Sequence, residues 1–147
     1  MNKKIYAIAA ALTLSLAMTS CEEDDDEQDY VAPDVLSGRW VLDQVGSLNS
    51  VGAINYVSAL DECAQDEITF QGNTFSSADS APNVEGNCAT VSKTGTWALV
   101  DGNLEFQAGA EEFRRDVLTL TPDLMILVYT NTEGDLQFLR YQKGTGE

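Results

Sequence analysis

Histidine is absent from these 147 residues, and bases are few: eight Lys and Arg stand against 24 Asp and Glu, a formal net charge of −16. The first absence removes the commonest general base and the commonest metal ligand. The second argues against nucleic acid and anionic headgroups as partners, because both need a basic surface. Cysteine is limited to three residues, too few without histidine for a thiol nucleophile or a metal site. No nucleophile motif stands out. An enzyme is therefore disfavoured, and neither a cofactor nor a metal is expected.

Long apolar runs are also missing, except one near the start. Lys3 and Lys4 precede an apolar stretch over residues 5–18, broken only by Thr13 and Ser15. As a helix it reaches roughly 21 Å, short of the ~30 Å core of a bilayer. It is expected to be a removable export signal rather than a span. Met18, Thr19 and Ser20 lead to Cys21, with small residues where a processing peptidase needs room. This resembles a lipobox, which implies a signal peptide over 1–20 and a mature chain starting at a lipidated Cys21. The plainer alternative is a secreted protein cut at a small-residue site. Each buried methylene contributes ~0.8 kcal/mol, so several palmitate-like chains would anchor the protein without help from its fold.

Glu22, Glu23, Asp24, Asp25, Asp26, Glu27 and Asp29 follow almost without interruption. Like charges repel and bury nothing, so 21–33 is expected to be a solvated, extended tether. Its spacing does not alternate as calcium ligands do. Acidic residues directly after a lipidated cysteine resemble the surface-export signal of lipoproteins in one group of Gram-negative bacteria. That resemblance implies the outer membrane, with the protein facing outward. Without the leader, six bases face 24 acids, a charge of −18; without the tether acids, six face 17, a charge of −11.

With Cys21 taken by lipid, Cys63 and Cys88 remain as an even pair in an oxidising compartment, where a disulfide is the default. Closing that loop of about 25 residues is worth ~3 kcal/mol in chain entropy. The rest of the chain, 34–147, reads as one domain long enough to bury a single core. Short apolar runs alternate with turn residues. They predict strands over 39–45, 66–71, 74–77, 95–100, 104–107, 112–121, 124–130 and 136–142. Turn chemistry sits at Gly72-Asn73, at Asp101-Gly102-Asn103, at Thr121-Pro122-Asp123 and over 131–134. Eight antiparallel strands in meander order suit an all-β, closed up-and-down barrel, which leaves no exposed edge.

The alternation puts Trp40, Leu42 and Gln44 on one face of the first strand and Val41, Asp43 and Val45 on the other. The run 124–129 is apolar on both faces, so its outside needs a cover. Two segments could supply it: 34–37, or an insertion over 47–65 whose Val51, Ile54, Tyr56, Val57 and Leu60 suit a short helix. Gly52 and Asn55 interrupt that helix, so the insertion is expected to be helical or irregular.

Gly38-Arg39-Trp40 opens the first strand, and the small residue lets the large ring close the barrel where the backbone comes near. The motif resembles the G-x-W signature of lipocalins. The whole stretch 36–143 is similar to small bacterial lipocalin-like domains found on lipoproteins. Gly95-Thr96-Trp97, the two loop cysteines and the closing Phe138-Leu139-Arg140-Tyr141 add to the likeness. In lipocalins a basic residue of the last strand lies across the first tryptophan. The resemblance implies Arg140 on Trp40, a cation–π contact worth ~0.5–2 kcal/mol.

An eight-stranded interior is just wide enough for side chains to fill, or for one small ligand. So many large residues in a short chain point towards filling. An open pocket would be lined by inward residues such as Phe70, Leu104 and Phe106. Asp61-Glu62 and Asp66-Glu67 bracket Cys63, and without an apolar surround they read as solvated surface. Asp79-Ser80-Ala81 resembles the short O-glycosylation sequence of the same bacterial group, with Ser80 as the acceptor. Two roles remain open. One is a non-enzymatic binding module, taking a small apolar molecule or glycan at the barrel mouth. The other is a protein-binding accessory subunit or hydrolase inhibitor, acting through loops 47–65 and 76–88.

Overall fold

A computed structural model describes residues 33–59 and 63–145. The expected signal 1–20, Cys21, the acidic run through Asp29 and the Asp61-Glu62 pair lie outside the described residues. One helical turn, α1 (Pro33–Leu36), precedes nine strands. These are β1 (Gly38–Leu48), β2 (Ile54–Ser58), β3 (Glu67–Gln71), β4 (Thr74–Pro82), β5 (Cys88–Val100), β6 (Asn103–Ala108), β7 (Glu111–Leu120), β8 (Leu124–Thr130) and β9 (Leu136–Lys143).

Every pairing is antiparallel between neighbours in the sheet. Closure comes from β1, which pairs with β3 through Gly38–Val41 on one edge and with β9 through Trp40–Ser47 on the other. β1 and β3–β9 thus form the eight-stranded barrel that the alternation predicts. The core is aromatic and aliphatic: Trp40, Phe70, Phe75, Trp97, Leu104, Phe106, Met125 and Leu127 are all buried.

The ninth strand overturns one expectation. The insertion 47–65 holds no helix among its described residues; β2 instead pairs with the far half of β1, from Gln44 opposite Ser58 to Leu48 opposite Ile54. β-Branched residues and a tyrosine favour a strand here, and Gly46 makes room for it. A Cβ at Gly46 would lie 2.8 Å from both Ile54 Cγ2 and Tyr56 Cε1, so these side chains lean across the bare backbone. Gly46 is the cross-strand partner of Phe138, which is buried on the outer face. The segment 34–37 does not serve as an outer cover; it plugs the barrel end.

The strand phases also depart from simple alternation. β1 and β9 slip register between Leu42 and Gln44. Leu42 opposes Tyr141 on the inside, whereas Gln44 opposes Arg140 on the outside. The extra residue, Asp43, forms a bulge that reverses the inside and outside of the strand. A second slip lies between Val117 and Thr119 in β7. It leaves Leu118 outside at 54% exposure.

Three connections at one end of the barrel share a design: 49–53, 83–87 and 131–135. Asn49, Asn83 and Asn131 each accept, through Oδ1, the N–H groups two and four residues on, at 2.9–3.0 Å. Gly52, Gly86 and Gly134 then take positive φ of 79°, 80° and 92°, a region glycine enters without strain. The pattern N-x-x-G is therefore a turn signal used three times. The predicted loop 76–88 is mostly a hairpin, since β4 and β5 pair from Thr74–Thr96 to Pro82–Cys88 and only 83–87 turns.

Candidate functional site

The two ends of the barrel differ. At the closed end Leu36 is fully buried, and its carbonyl accepts the Trp40 indole N–H at 2.7 Å. Lys143 Nζ lies 4.2 Å from the Trp40 ring centroid and donates to the carbonyls of Val35 and Ser37. Lys143, not Arg140, is thus the base on the tryptophan. Trp40 pairs directly with Lys143, while Arg140 is on the outer face and donates to Gln44 Oε1 at 2.6 Å. The sequence places both bases on the last strand; the register chooses between them.

Above this plug the interior is packed with rings. Phe70 meets Trp97 edge-on at 5.3 Å, and Phe106 meets Phe75 edge-on at 4.9 Å and stacks on Phe113 at 4.8 Å. Over the ring layer a cavity of about 300 Å³ opens at the other end. Its floor is Leu42, Ile68, Phe75, Phe106 and Leu127, flanked by Phe113 and Leu139. Of the three residues expected to line a pocket, only Phe106 does so. Phe70 and Leu104 are 1% and 0% exposed in the packed half below. The interior is therefore filled near the closed end and hollow near the mouth.

The wall of the cup is polar. Asp66, Asp79, Lys93, Arg115, Tyr129 and Tyr141 all reach it. Lys93 is held by Glu111 at 2.8 and 3.0 Å. Glu67, also on the wall, is held from outside by Arg39, with Nη2 at 2.6 Å. The Arg115 guanidinium lies 4.2 Å over the Tyr129 ring and 5.2 Å from that of Phe113. Asp66 Oδ1 accepts the Ser80 N–H at 2.6 Å. The Asp79 carboxylate has neither a hydrogen bond nor an ion pair with any described residue. Partial burial raises its pKa above the usual carboxylate value and the Asp66 charge adds to the rise, while the charges of Lys93 and Arg115 oppose it. Burial likewise pushes the Tyr141 phenol up, helped by Asp79. Asp66 and Glu67, expected to be solvated surface, belong to the cup wall.

Most of these polar residues were missed by sequence reasoning, although their strand phase carried a signal. Phe75, Ser77 and Asp79 share one frame in β4, as do Phe113 and Arg115 in β7, and Leu139 and Tyr141 in β9. In β4, which runs towards the open end, the polar residue that continues the inward apolar frame marks the mouth.

The disulfide forms: Cys63 is bonded to Cys88, with Cα atoms 5.5 Å apart. It ties the β2–β3 connection to the β4–β5 hairpin at the open end. Ser80 is 7% exposed in β4, and its hydroxyl is 2.9 Å from that of Thr90. Burial and this hydrogen bond count against the glycosylation expected there. The described residues hold no cluster of metal-ligating side chains and no helix long and apolar enough to cross a membrane.

The model of the lipocalin-like domain matches residues 36–127. This chain belongs to the lipocalin-like domain family. Among solved structures it is similar to a lipocalin-like protein from Bacteroides uniformis, at 17% identity and a TM-score of 0.50, over 75% of this chain and 99% of that one. An uncharacterized protein from Bacteroides eggerthii gives 17% identity and a TM-score of 0.47, over 74% and 99%. A bovine odorant-binding protein in complex with a selenium-containing odorant gives 16% and 0.47, over 76% and 75%. No curated protein matches the sequence. In this lipocalin-like chain the G-x-W tryptophan, Trp40, sits in the closed end and the hollow lies opposite it.

Proposed function

We propose that this lipocalin-like protein is a non-enzymatic binding module that takes one small molecule, with an apolar part, into the cup. The observation that carries this reading is the 300 Å³ hollow with an apolar floor and a few polar groups on its wall. Small-molecule sites have this form, and the volume lies at their lower end. A small apolar compound or a glycan presenting an apolar face is the expected class. Native mass spectrometry of the protein purified from its own host tests it. A reproducible added mass is expected, lost when Ser77→Trp fills the cup. Bare wild-type protein in every preparation would overturn the reading.

The same proposal includes the anchor. Lipid on Cys21, the acidic tether and an outward-facing position at the outer membrane would put the cup where external compounds arrive. α1, the first described element, lies at the closed end, so a tether leading into it would enter the barrel at the end opposite the mouth. Labelling of the wild type with a clickable palmitate, and no labelling of Cys21→Ser, is the expected result.

A second reading, binding of a protein partner, has one observation in its favour. Val51 and Val84, on the tips of two of the three Asn loops, are 84% and 105% exposed. Loss of a co-purifying protein on Val51→Ser with Val84→Ser, with the cup adduct unchanged, would support it.

A further inference from the structure

The proposal that follows rests on the cup as the binding site and names the chemistry of its occupant. The wall carries four carboxylates, from Asp66, Glu67, Asp79 and Glu111, and two bases, Lys93 and Arg115. Two of the acids are neutralised in place, Glu111 by Lys93 and Glu67 by Arg39. That leaves Asp66 and Asp79 against Arg115, one net negative charge. The folded body, with six bases and 17 acids from residue 30 onward, adds a field of the same sign that draws cations to the mouth.

Arg115 is poorly placed to reverse that balance. Its guanidinium is spread over the Tyr129 ring at 4.2 Å and lies near Phe113, and its Nη1 donates to the Arg114 carbonyl at 2.9 Å. Asp79 is the opposite case. Its carboxylate lines the exposed rim of the cavity, attracted by Lys93 and Arg115 but in hydrogen bond or ion pair with no described residue. Tyr141 supplies an independent sign. Its ring packs half-buried against the core from the strand β9, and its hydroxyl lines the cavity without a hydrogen-bond partner among the described residues. A hydroxyl and a carboxylate over one hollow, neither of them partnered by a described residue, are polar groups available to something that enters it.

We propose that the cup selects a small organic cation: a protonated amine carried on an apolar or aromatic body. The ammonium is seated on Asp79, with Asp66 nearby and the Tyr141 hydroxyl as an additional acceptor. The body rests on Phe106, Phe113 and Leu127. An ammonium has three donors and no acceptor, and the free groups here are mainly acceptors. A carboxylate head would face Asp66 and Asp79, with a stacked guanidinium and an ammonium already held by Glu111 to meet it.

The test is isothermal titration calorimetry on the folded full-length protein with three probes of one body: phenethylamine, 3-phenylpropionate and 2-phenylethanol. Phenethylamine should bind at least tenfold more tightly than the carboxylate. Asp79→Asn should weaken the amine at least fivefold and leave 2-phenylethanol within twofold. Tyr141→Phe should weaken the amine by a smaller factor, and it keeps the test alive if Asp79→Asn does not fold. Equal binding of all three, tighter binding of the carboxylate, or an amine affinity indifferent to both variants overturns the amine assignment while leaving the cup as a site. No binding by any probe to the wild type overturns both.

Discussion

The closed and open ends of this barrel are built from the same strands, yet they solve opposite problems. At the closed end α1 folds under the strands, Leu36 is fully buried, and Trp40 has its indole N–H and its ring face both engaged. At the open end the polar groups outnumber their partners, and Asp79 and Tyr141 face a hollow. The first arrangement favours stability and the second favours recognition, because a group satisfied by the protein is no longer available to a ligand. The backbone follows the same division. Three Asn loops and the disulfide hold the rim in shape, so the mouth is shaped by turns and a crosslink rather than by packing.

The largest way to break the contrast is Gly95→Ala. A Cβ there would stand 1.9 Å from the Gln107 carbonyl oxygen, a backbone atom of the neighbouring strand. The expected loss exceeds ~4 kcal/mol, enough to unfold a domain of this size, and urea denaturation measures it. Gly46→Ala near the rim, by contrast, meets only the ends of two side chains and should cost ~1–3 kcal/mol. Equal effects would mean that the open end is packed as rigidly as the interior.

Trp40→Ala comes next. It removes the ring that closes the barrel and should cost ~3–5 kcal/mol. Phe113→Ala, at the half-buried cup wall, should cost less in the same denaturation series. Breaking the rim crosslink by Cys63→Ser with Cys88→Ser should cost ~3 kcal/mol, from a separation of 25 residues. Lys143→Met should cost ~1 kcal/mol through the lost cation–π contact, whereas Arg140→Met leaves Trp40 fluorescence unchanged.

The smallest effect has the opposite sign. Asp79 has a folded pKa above its unfolded value near 3.8, so its ionised form disfavours the fold. That penalty is full above the folded pKa and fades as the pH falls through it towards 3.8. Asp79→Asn should therefore raise the melting temperature at pH 7 and leave it unchanged near pH 3. A lower melting temperature at neutral pH would show that the carboxylate is paired in solution, contrary to the open-end picture.

Much of this fold was legible before any coordinates. Gly72-Asn73 and Asp101-Gly102 marked hairpins that exist, and each of the eight expected strands is present, mostly longer than drawn. The strands 74–77 and 95–100 were cut short because Ser, Asp, Ala and Asn within 78–94 look like loop. The asparagines do turn the chain over 83–87, but β4 and β5 stay paired from Thr74–Thr96 to Pro82–Cys88, and tertiary context overrides the weak propensity of their Ser, Asp and Ala. The insertion went wrong for a related reason. Val51, Ile54 and Val57 fit a helical period, whereas in the strand Ile54 and Tyr56 share a face and Asn49-x-x-Gly52 is the turn. The site was less legible. Arg140, one of two bases on its strand, was the natural choice for Trp40, and a single slip at Asp43 is invisible in the chain.

The sequence by itself determined the all-β class, the meander, the closing tryptophan and the pairing of two cysteines, because period-two alternation, turn residues and cysteine parity are local or countable. Only the tertiary structure decided which face each residue takes beyond a bulge, which base covers Trp40, and how far the rings fill the interior. Those outcomes depend on register summed around a closed sheet, where one extra residue exchanges inside for outside for every position that follows.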